Sequence, residues 1–353
     1  MCKRPRAAAS RVPSLRHWRV ILGISIALAA LGSFSPAQAQ WQEAGPFTST
    51  NTLVEPHSNT LVSGMQAQGD PVYGAINTIL QSPTNPNVYW AGTASGGIWK
   101  TTNGGQTWTP TSDFQASLSI GAIAFDASDP SGTTLYAGSG QYSNFGTRDG
   151  AITGLLKSTD GGNTWRALAN NGLASYQLTS TGRQTIVSSL PTPSIKNIIA
   201  SGSTILVAAS RGYCCGATDS SGGLFRSTDG GQTFTLVPGF GTATTDLQTM
   251  GGSLIAARVS KEDPLVDAVL VSSDGGQSWH SILDSSSTIA NGGQTFGSGN
   301  PLVNMHVAPG VGGSLFVGVA DTTKDITRLY YTPNATAASP GKLRSPTTPL
   351  PAI

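Results

Sequence analysis

From Gly74 onward, short apolar runs of four to eight residues alternate with clusters of Gly, Asn, Asp, Ser and Pro. Runs of that length, rich in β-branched and aromatic residues and bounded by turn formers, predict strands. They come in sets. The first set is Gly74–Leu80, Val88–Gly92, Gly97–Lys100 and Thr107–Thr109, and the second is Gly121–Phe125, Thr134–Gly138, Gly154–Lys157 and Thr164–Leu168. The third is Ile195–Ala200, Thr204–Ala208, Gly223–Arg226 and Thr233–Leu236, and the fourth is Thr245–Met250, Ser253–Ala257, Ala268–Val271 and Ser278–Leu283. A fifth set, Pro301–Val307, Ser314–Val319 and Arg328–Tyr331, has no fourth run after it. No convincing amphipathic helix follows residue 40.

Between the third and fourth runs of four sets stands one eight-residue phrase. It reads Thr101-Thr-Asn-Gly-Gly-Gln-Thr-Trp108, Ser158-Thr-Asp-Gly-Gly-Asn-Thr-Trp165, Ser227-Thr-Asp-Gly-Gly-Gln-Thr-Phe234 and Ser272-Ser-Asp-Gly-Gly-Gln-Ser-Trp279. The Asp/Asn-Gly pair predicts a tight turn between strands, with the carboxylate accepting bonds from its own loop and the aromatic burying its ring between sheets. Every element of the phrase serves folding, so Asn103, Asp160, Asp229 and Asp274 read as structural, together with Trp108, Trp165, Phe234 and Trp279. Asn103 supports this, since an amide is no general base. In the fifth set the phrase decays to Thr332-Pro-Asn-Ala-Thr336.

Four short antiparallel strands repeated at intervals of roughly 45 to 69 residues predict an all-β chain, a β-propeller of four-stranded blades. About five blades are recognisable, spanning 40–335. Trp41-Gln-Glu-Ala44 reads as a stray strand that would pair with the fifth blade and remove its free edge. If it does not, the ring is incomplete and the chain is a piece of a longer propeller.

Composition changes the picture at the two ends. Residues 1–39 hold six basic residues, an apolar run from Val20 to Leu31 and a small-x-small site at Ala37-Gln38-Ala39. This predicts a secretory signal peptide, and the apolar run is shorter than the ~20 residues a bilayer span needs. No transmembrane span is expected after cleavage, and a secreted, periplasmic or cell-surface location follows. All 18 acidic residues lie beyond Gln40, so the remaining chain carries a net charge of −4, against +2 for the whole. No basic run is left to follow a phosphate backbone, which argues against nucleic acid. The stretch 336–353 is rich in Pro, Ser and Thr and is expected to be disordered.

The phrase resembles the Asp-box, or bacterial neuraminidase repeat, of sialidases, xyloglucan-specific glucanases, sortilin-type receptors and photosystem II assembly factors. The resemblance covers residues 74 to about 331 and implies the propeller rather than an activity. A sialidase needs an arginine triad beginning in Arg-Ile-Pro, which does not occur here. The xyloglucanases run Ala-Arg-Thr-Asp-Val-Gly-Gly in the first repeat, with that Asp catalytic. The matching stretch is Ala91-Gly-Thr-Ala-Ser-Gly-Gly97, with Ala94 at the Asp position. Glycoside hydrolysis ordinarily needs two carboxylates, so the usual mechanism is lost. His57, His280 and His306 show no local nucleophile–base pattern.

Strand alternation puts the repeats on one rim and the loops between second and third strands on the other. Binding residues concentrate on such loops. Tyr142, Phe145, Arg148, Arg211 and Tyr213 are the candidate ligand contacts. Asp149 with Glu262 or Asp263 is the carboxylate pair to test for hydrolysis. Cys214 and Cys215 are adjacent, and a vicinal disulfide and two free thiols both stand open. No metal and no cofactor is implied. The reading favours a binding or surface-interaction module, for a polysaccharide or an envelope protein. A xyloglucanase-like glycoside hydrolase and an envelope assembly factor are the alternatives.

Overall fold

The structure is a computed structural model, and it describes residues 75–115, 117–140, 153–168, 176–178, 184–186, 194–210, 222–260, 267–284, 287, 302–321 and 326–335. All of them belong to one unit, Gly45–Ile353, while the other unit, Met1–Ala44, lies outside them. The first sheet runs β1 (Ile76–Gln81), β2 (Tyr89–Thr93), β3 (Ile98–Thr101), β4 (Thr109–Pro110), and the second β5 (Ile120–Phe125), β6 (Leu135–Ser139), β7 (Leu155–Ser158), β8 (Arg166–Leu168). A two-stranded hairpin follows, β9 (Tyr176–Leu178) with β10 (Gln184–Ile186). The third sheet is β11 (Ser194–Ser201), β12 (Thr204–Ser210), β13 (Gly222–Ser227), β14 (Thr235–Leu236). The fourth is β15 (Thr244–Met250), β16 (Ser253–Arg258), β17 (Ala268–Ser272), β18 (His280–Asp284). The last is β19 (Leu302–Pro309), β20 (Leu315–Asp321), β21 (Ile326–Thr332). Among the described residues every pairing of these strands is antiparallel and between sequence neighbours, an isolated parallel bridge joins Asp126 to Ala200, and a single-turn 3-10 segment, Val311–Gly313, joins β19 to β20. The first three strands of each sheet stand where the hydrophobic pattern sets them. The β9–β10 hairpin was not among the expected elements.

The sheets meet at their first strands: β1 packs on β5, β5 on β11, β11 on β15 and β15 on β19. The core therefore lies in layers between consecutive sheets. Trp90 and Ile98 of the first pack with Ile120, Leu135 and Trp165 of the second. Tyr136 and Leu155 pack with Ile195, Ile205 and Phe234. Leu206 and Phe240 pack with Leu247 and Leu270, and Ile255 and Leu283 with Met305 and Tyr330. Second strands are covered on both faces, which is why Tyr89-Trp-Ala-Gly-Thr93 and Leu135-Tyr-Ala-Gly-Ser139 read as continuous apolar or small runs. The approach is closest where a second strand offers glycine. A Cβ on Gly92 would lie 2.6 Å from Ile120 Cγ2, and one on Gly138 would collide with Ile195.

Each first strand carries a β-bulge near its start, at Asn77, Gly121, Lys196, Thr245 and Val303. A bulge re-aims its side chain. At two of them the extra residue bonds the next sheet: Asn77 Nδ2 donates to Ile120 O at 2.9 Å and Thr245 Oγ1 to Met305 O at 2.8 Å.

Candidate functional site

The eight-residue repeats occupy the turns from third to fourth strand in the four four-stranded sheets. Their geometry is the same each time. Ser158, Ser227 and Ser272 Oγ donate to Oδ1 of Asp160, Asp229 and Asp274 at 2.8, 2.7 and 2.8 Å. Each serine in turn accepts the second glycine's N–H, from Gly162, Gly231 and Gly276, at 2.8–2.9 Å. Oδ1 takes the N–H of Thr164, Thr233 or Ser278 at 2.9–3.0 Å, and Oδ2 takes that residue's hydroxyl at 2.5–2.6 Å. Burial alone would push the Asp160 carboxyl up. The Thr164 hydroxyl and amide, Ser158 and the Asn163 amide outweigh it and hold it at about 2. At Asp229 the Thr233 and Ser227 bonds do the same, to about 2, and at Asp274 the Ser278 bonds hold the carboxyl well below the usual range.

The first repeat keeps this geometry with an amide. Asn103 Oδ1 accepts from Thr101 Oγ1 and Thr107 N, both at 2.9 Å, and Nδ2 donates to Thr107 Oγ1 at 2.8 Å. The threonine hydroxyl reverses its role, and the turn survives. These four side chains accept hydrogen bonds from their own loops, as Asx turns do.

Two findings correct the expected details. The fourth strands begin two residues later than the pattern suggested, at Thr109, Arg166, Thr235 and His280, because the repeat's Thr/Ser and aromatic still belong to the turn. The aromatics are also not equally buried. Trp165 and Phe234 are buried, while Trp108 and Trp279 are half-buried, with Nε1 capping Gly105 O at 3.1 Å and Gly276 O at 3.2 Å.

The turns also lock one sheet to the next. Gly161 O accepts from Lys100 Nζ at 2.7 Å and from Trp90 Nε1 at 3.2 Å, with the ammonium 5.4 Å above the Trp90 ring. Lys100 also donates to Asn163 Oδ1 at 2.9 Å. Between the third and fourth sheets, Arg226 Nε donates to Gly275 O at 3.2 Å.

The opposite rim holds the starts of the first strands and the connections from second to third strand. The first connection, Thr93–Gly97, is described in full. Ala94 is completely buried: its N–H donates to Ala75 O at 2.8 Å and its carbonyl accepts Ser119 Oγ at 2.6 Å. Thr93 Oγ1 accepts from Gly96 N at 2.8 Å, and Trp99 Nε1 donates to Gly96 O at 2.8 Å. The loop is closed on itself and offers no carboxylate at Ala94.

Two charged clusters stand on this rim that the sequence reading did not identify. On the first strands, His306 Nδ1 lies 3.4 Å from Asp246 Oδ2, and Asn304 Nδ2 lies 3.0 Å from His306 Nε2. Asp246 is buried and also accepts Leu247 N, Gln248 Nε2 and, across the sheet boundary, Val307 N at 3.0 Å. Burial pushes the Lys196 amine down, and the Asp246 charge beside it partly restores it. The second cluster lies where β16, β17 and β18 meet the rim. Arg258 donates to Gly239 O and stands 5.7 Å over the Phe240 ring. Burial lowers its pKa, and Asp267 and Asp284 pull it back up. Asp267 is fully buried and accepts Ser260 N at 2.7 Å, which ties the two ends of the fourth sheet's connection together. His306 and Asp246 are sixty residues apart, and only the packing of β19 on β15 from one sheet to the next joins them, so no local signal marked the pair.

Of the sequence-predicted contacts, Tyr142, Phe145, Arg148, Asp149, Arg211, Tyr213, Cys214, Cys215, Glu262 and Asp263 lie outside the described residues, as does Trp41–Ala44. Among the described residues no three His, Cys, Asp or Glu side chains gather to hold a metal ion, and no helix is long and apolar enough to cross a membrane.

An all-β chain of antiparallel four-stranded sheets meeting at their first strands has the β-propeller fold, and solved structures agree. The GH74 enzyme of Niastella koreensis is 20% identical with a TM-score of 0.51, over 75% of this chain and 37% of that one. An ancestral GH74 enzyme is 16% identical with a TM-score of 0.51, over 78% and 31%. The GH74 xyloglucanase from Xanthomonas campestris is 15% identical with a TM-score of 0.53, over 77% and 38%. This chain thus spans about a third of the length of those proteins. At such identity the likeness is one of fold. No protein-family model matches the sequence, and no curated protein matches it.

Proposed function

We propose that this chain is a secreted or envelope-exposed Asp-box propeller that binds a polysaccharide on the rim opposite its repeats, without hydrolysing it. The observation that carries this reading is Ala94. The resemblance to xyloglucanases puts a catalytic carboxylate at this position, and here a buried methyl stands there with its peptide groups bonded to Ala75 and Ser119. Glycoside hydrolysis by paired carboxylates has no partner at that place. The four repeats lock the opposite rim and leave the other for loops of unequal length, where binding residues concentrate on a rigid scaffold.

The test is a paired screen of the secreted chain. Binding is followed by affinity electrophoresis in soluble xyloglucan and mixed-linkage glucan, and turnover by release of reducing ends. Retardation without turnover is the expected result. Turnover that disappears in Asp149→Ala, Glu262→Ala or Asp263→Ala overturns it in favour of a hydrolase.

A further inference from the structure

The turns that follow β4 and β14 start alike and end differently. Thr111 N donates to Ile98 O as Val237 N donates to Leu224 O, so Thr111 and Val237 are equivalent, and three residues on, Phe114 is equivalent to Phe240. Phe240 is fully buried and meets Trp279 of the next sheet edge-on, with ring centroids 5.2 Å apart at 69°. Phe114 is 98% exposed. The cause is a one-residue offset in where the turn closes. Phe240 N bonds Val237 O, whereas in the first sheet Gln115 N bonds Ser112 O at 2.9 Å. Gln115 thereby faces the neighbouring sheet and donates from Nε2 to Trp165 O at 2.9 Å, while Trp165 Nε1 donates to Thr111 Oγ1 at 3.1 Å. A polar residue occupies the inward place, and the aromatic is turned out to solvent. The fold has a buried seat for a phenylalanine at this turn, and uses it in the third sheet.

The turn that displays Phe114 is well anchored. Ser112 is buried, and its Oγ accepts Ile98 N at 2.7 Å. This places the turn beside Gly97, on the rim away from the repeats. Asp113, half-buried next to Phe114, brings a carboxyl within the same turn.

We infer that Phe114 is a stacking platform for a pyranose ring, with Asp113 accepting a hydrogen bond from a ring hydroxyl. This deepens the proposed polysaccharide binding and rests on it. A single flat aromatic beside one carboxyl suits the apolar C–H face and equatorial hydroxyls of a neutral sugar. A protein knob would call for a contiguous apolar patch, and apolar docking patches on monomers run to several hundred Å². Burial pushes the Asp113 carboxyl up.

The experiment is affinity electrophoresis of the full secreted chain in soluble xyloglucan and in mixed-linkage glucan, with unfolding temperature recorded alongside. Phe114→Ala should weaken retardation by roughly tenfold, the size of a lost aromatic contact. Phe114→Tyr should restore it, Asp113→Asn should weaken it severalfold, and no variant should move the unfolding temperature. Wild-type retardation with Phe114→Ala unchanged overturns the platform and leaves polysaccharide binding standing. Wild-type chain that no glucan retards overturns both. A lowered unfolding temperature in Phe114→Ala shows a structural residue and also overturns the platform.

Discussion

Asp160 and Asn103 occupy the same place in successive turns, so the first repeat supplies the control for mutating the second. Asp160→Ala removes four accepted bonds, from Ser158 Oγ, Asn163 N, Thr164 N and Thr164 Oγ1. A net bond contributes about 1 kcal/mol, and donors near the surface turn to water, so the loss should be about 2 kcal/mol. In a domain of this size that lowers the unfolding temperature by about 4–8 °C. Asp160→Asn should cost under about 1 kcal/mol, because its Nδ2 can donate to the Thr164 hydroxyl as Asn103 Nδ2 does to Thr107. The charge shows in the pH dependence. The folded carboxyl sits at about 2 against an ordinary 3.8, so its stabilisation is fully present above pH 4 and is lost as pH falls toward 2. The exposed setting screens this contribution. The gap between wild type and Asp160→Asn should therefore be constant from pH 5 to 7 and should close between pH 4 and 2. Urea unfolding at a series of pH values measures it. The reasoning fails if Asp160→Asn is as unstable as Asp160→Ala, or if the gap does not change with pH.

Gly138→Ala should destabilise the chain by about 1–3 kcal/mol through its collision with Ile195, and Gly138→Ala with Ile195→Val should recover part of that loss in a urea midpoint series. Lys100→Met should cost about 1–2 kcal/mol, since it abandons Gly161 O and Asn163 Oδ1 across the sheet boundary, while Lys100→Arg should keep most of the stability in the same assay. Ala94→Asp should lower stability by about 3 kcal/mol or more, because it buries a charge where a methyl is packed, and it should produce no glucan hydrolysis in a reducing-end assay.

The strands were legible because their runs are short, apolar and separated by turn formers, and the repeats were legible because the same turn demands the same residues. Strand starts after the repeats were misplaced by two residues. Thr107 and Thr164 look like strand residues by type, yet their N–H groups bond back to Asn103 and Asp160. The first repeat closes its turn on the Asn103 amide as the others close theirs on a carboxylate. The inter-sheet lock at Lys100 could not, because its partner lies sixty-one residues on. The Asp246–His306 pair was hidden for the same reason, and the exposure of Phe114 depends on a turn offset that no composition signals.

The sequence by itself determined the local matters: which segments are strands, where the chain turns, and that the repeated Ser-x-Asp-Gly-Gly-x-Thr-aromatic phrase closes those turns. Such features depend on neighbours within about eight residues, and the residue types there leave little choice. Tertiary structure alone decided what faces what. Stacking one sheet on the next brought Asp246 to His306, seated Phe240 against Trp279, and buried Ala94 beneath Ser119. Those outcomes follow from packing between residues that share no local pattern.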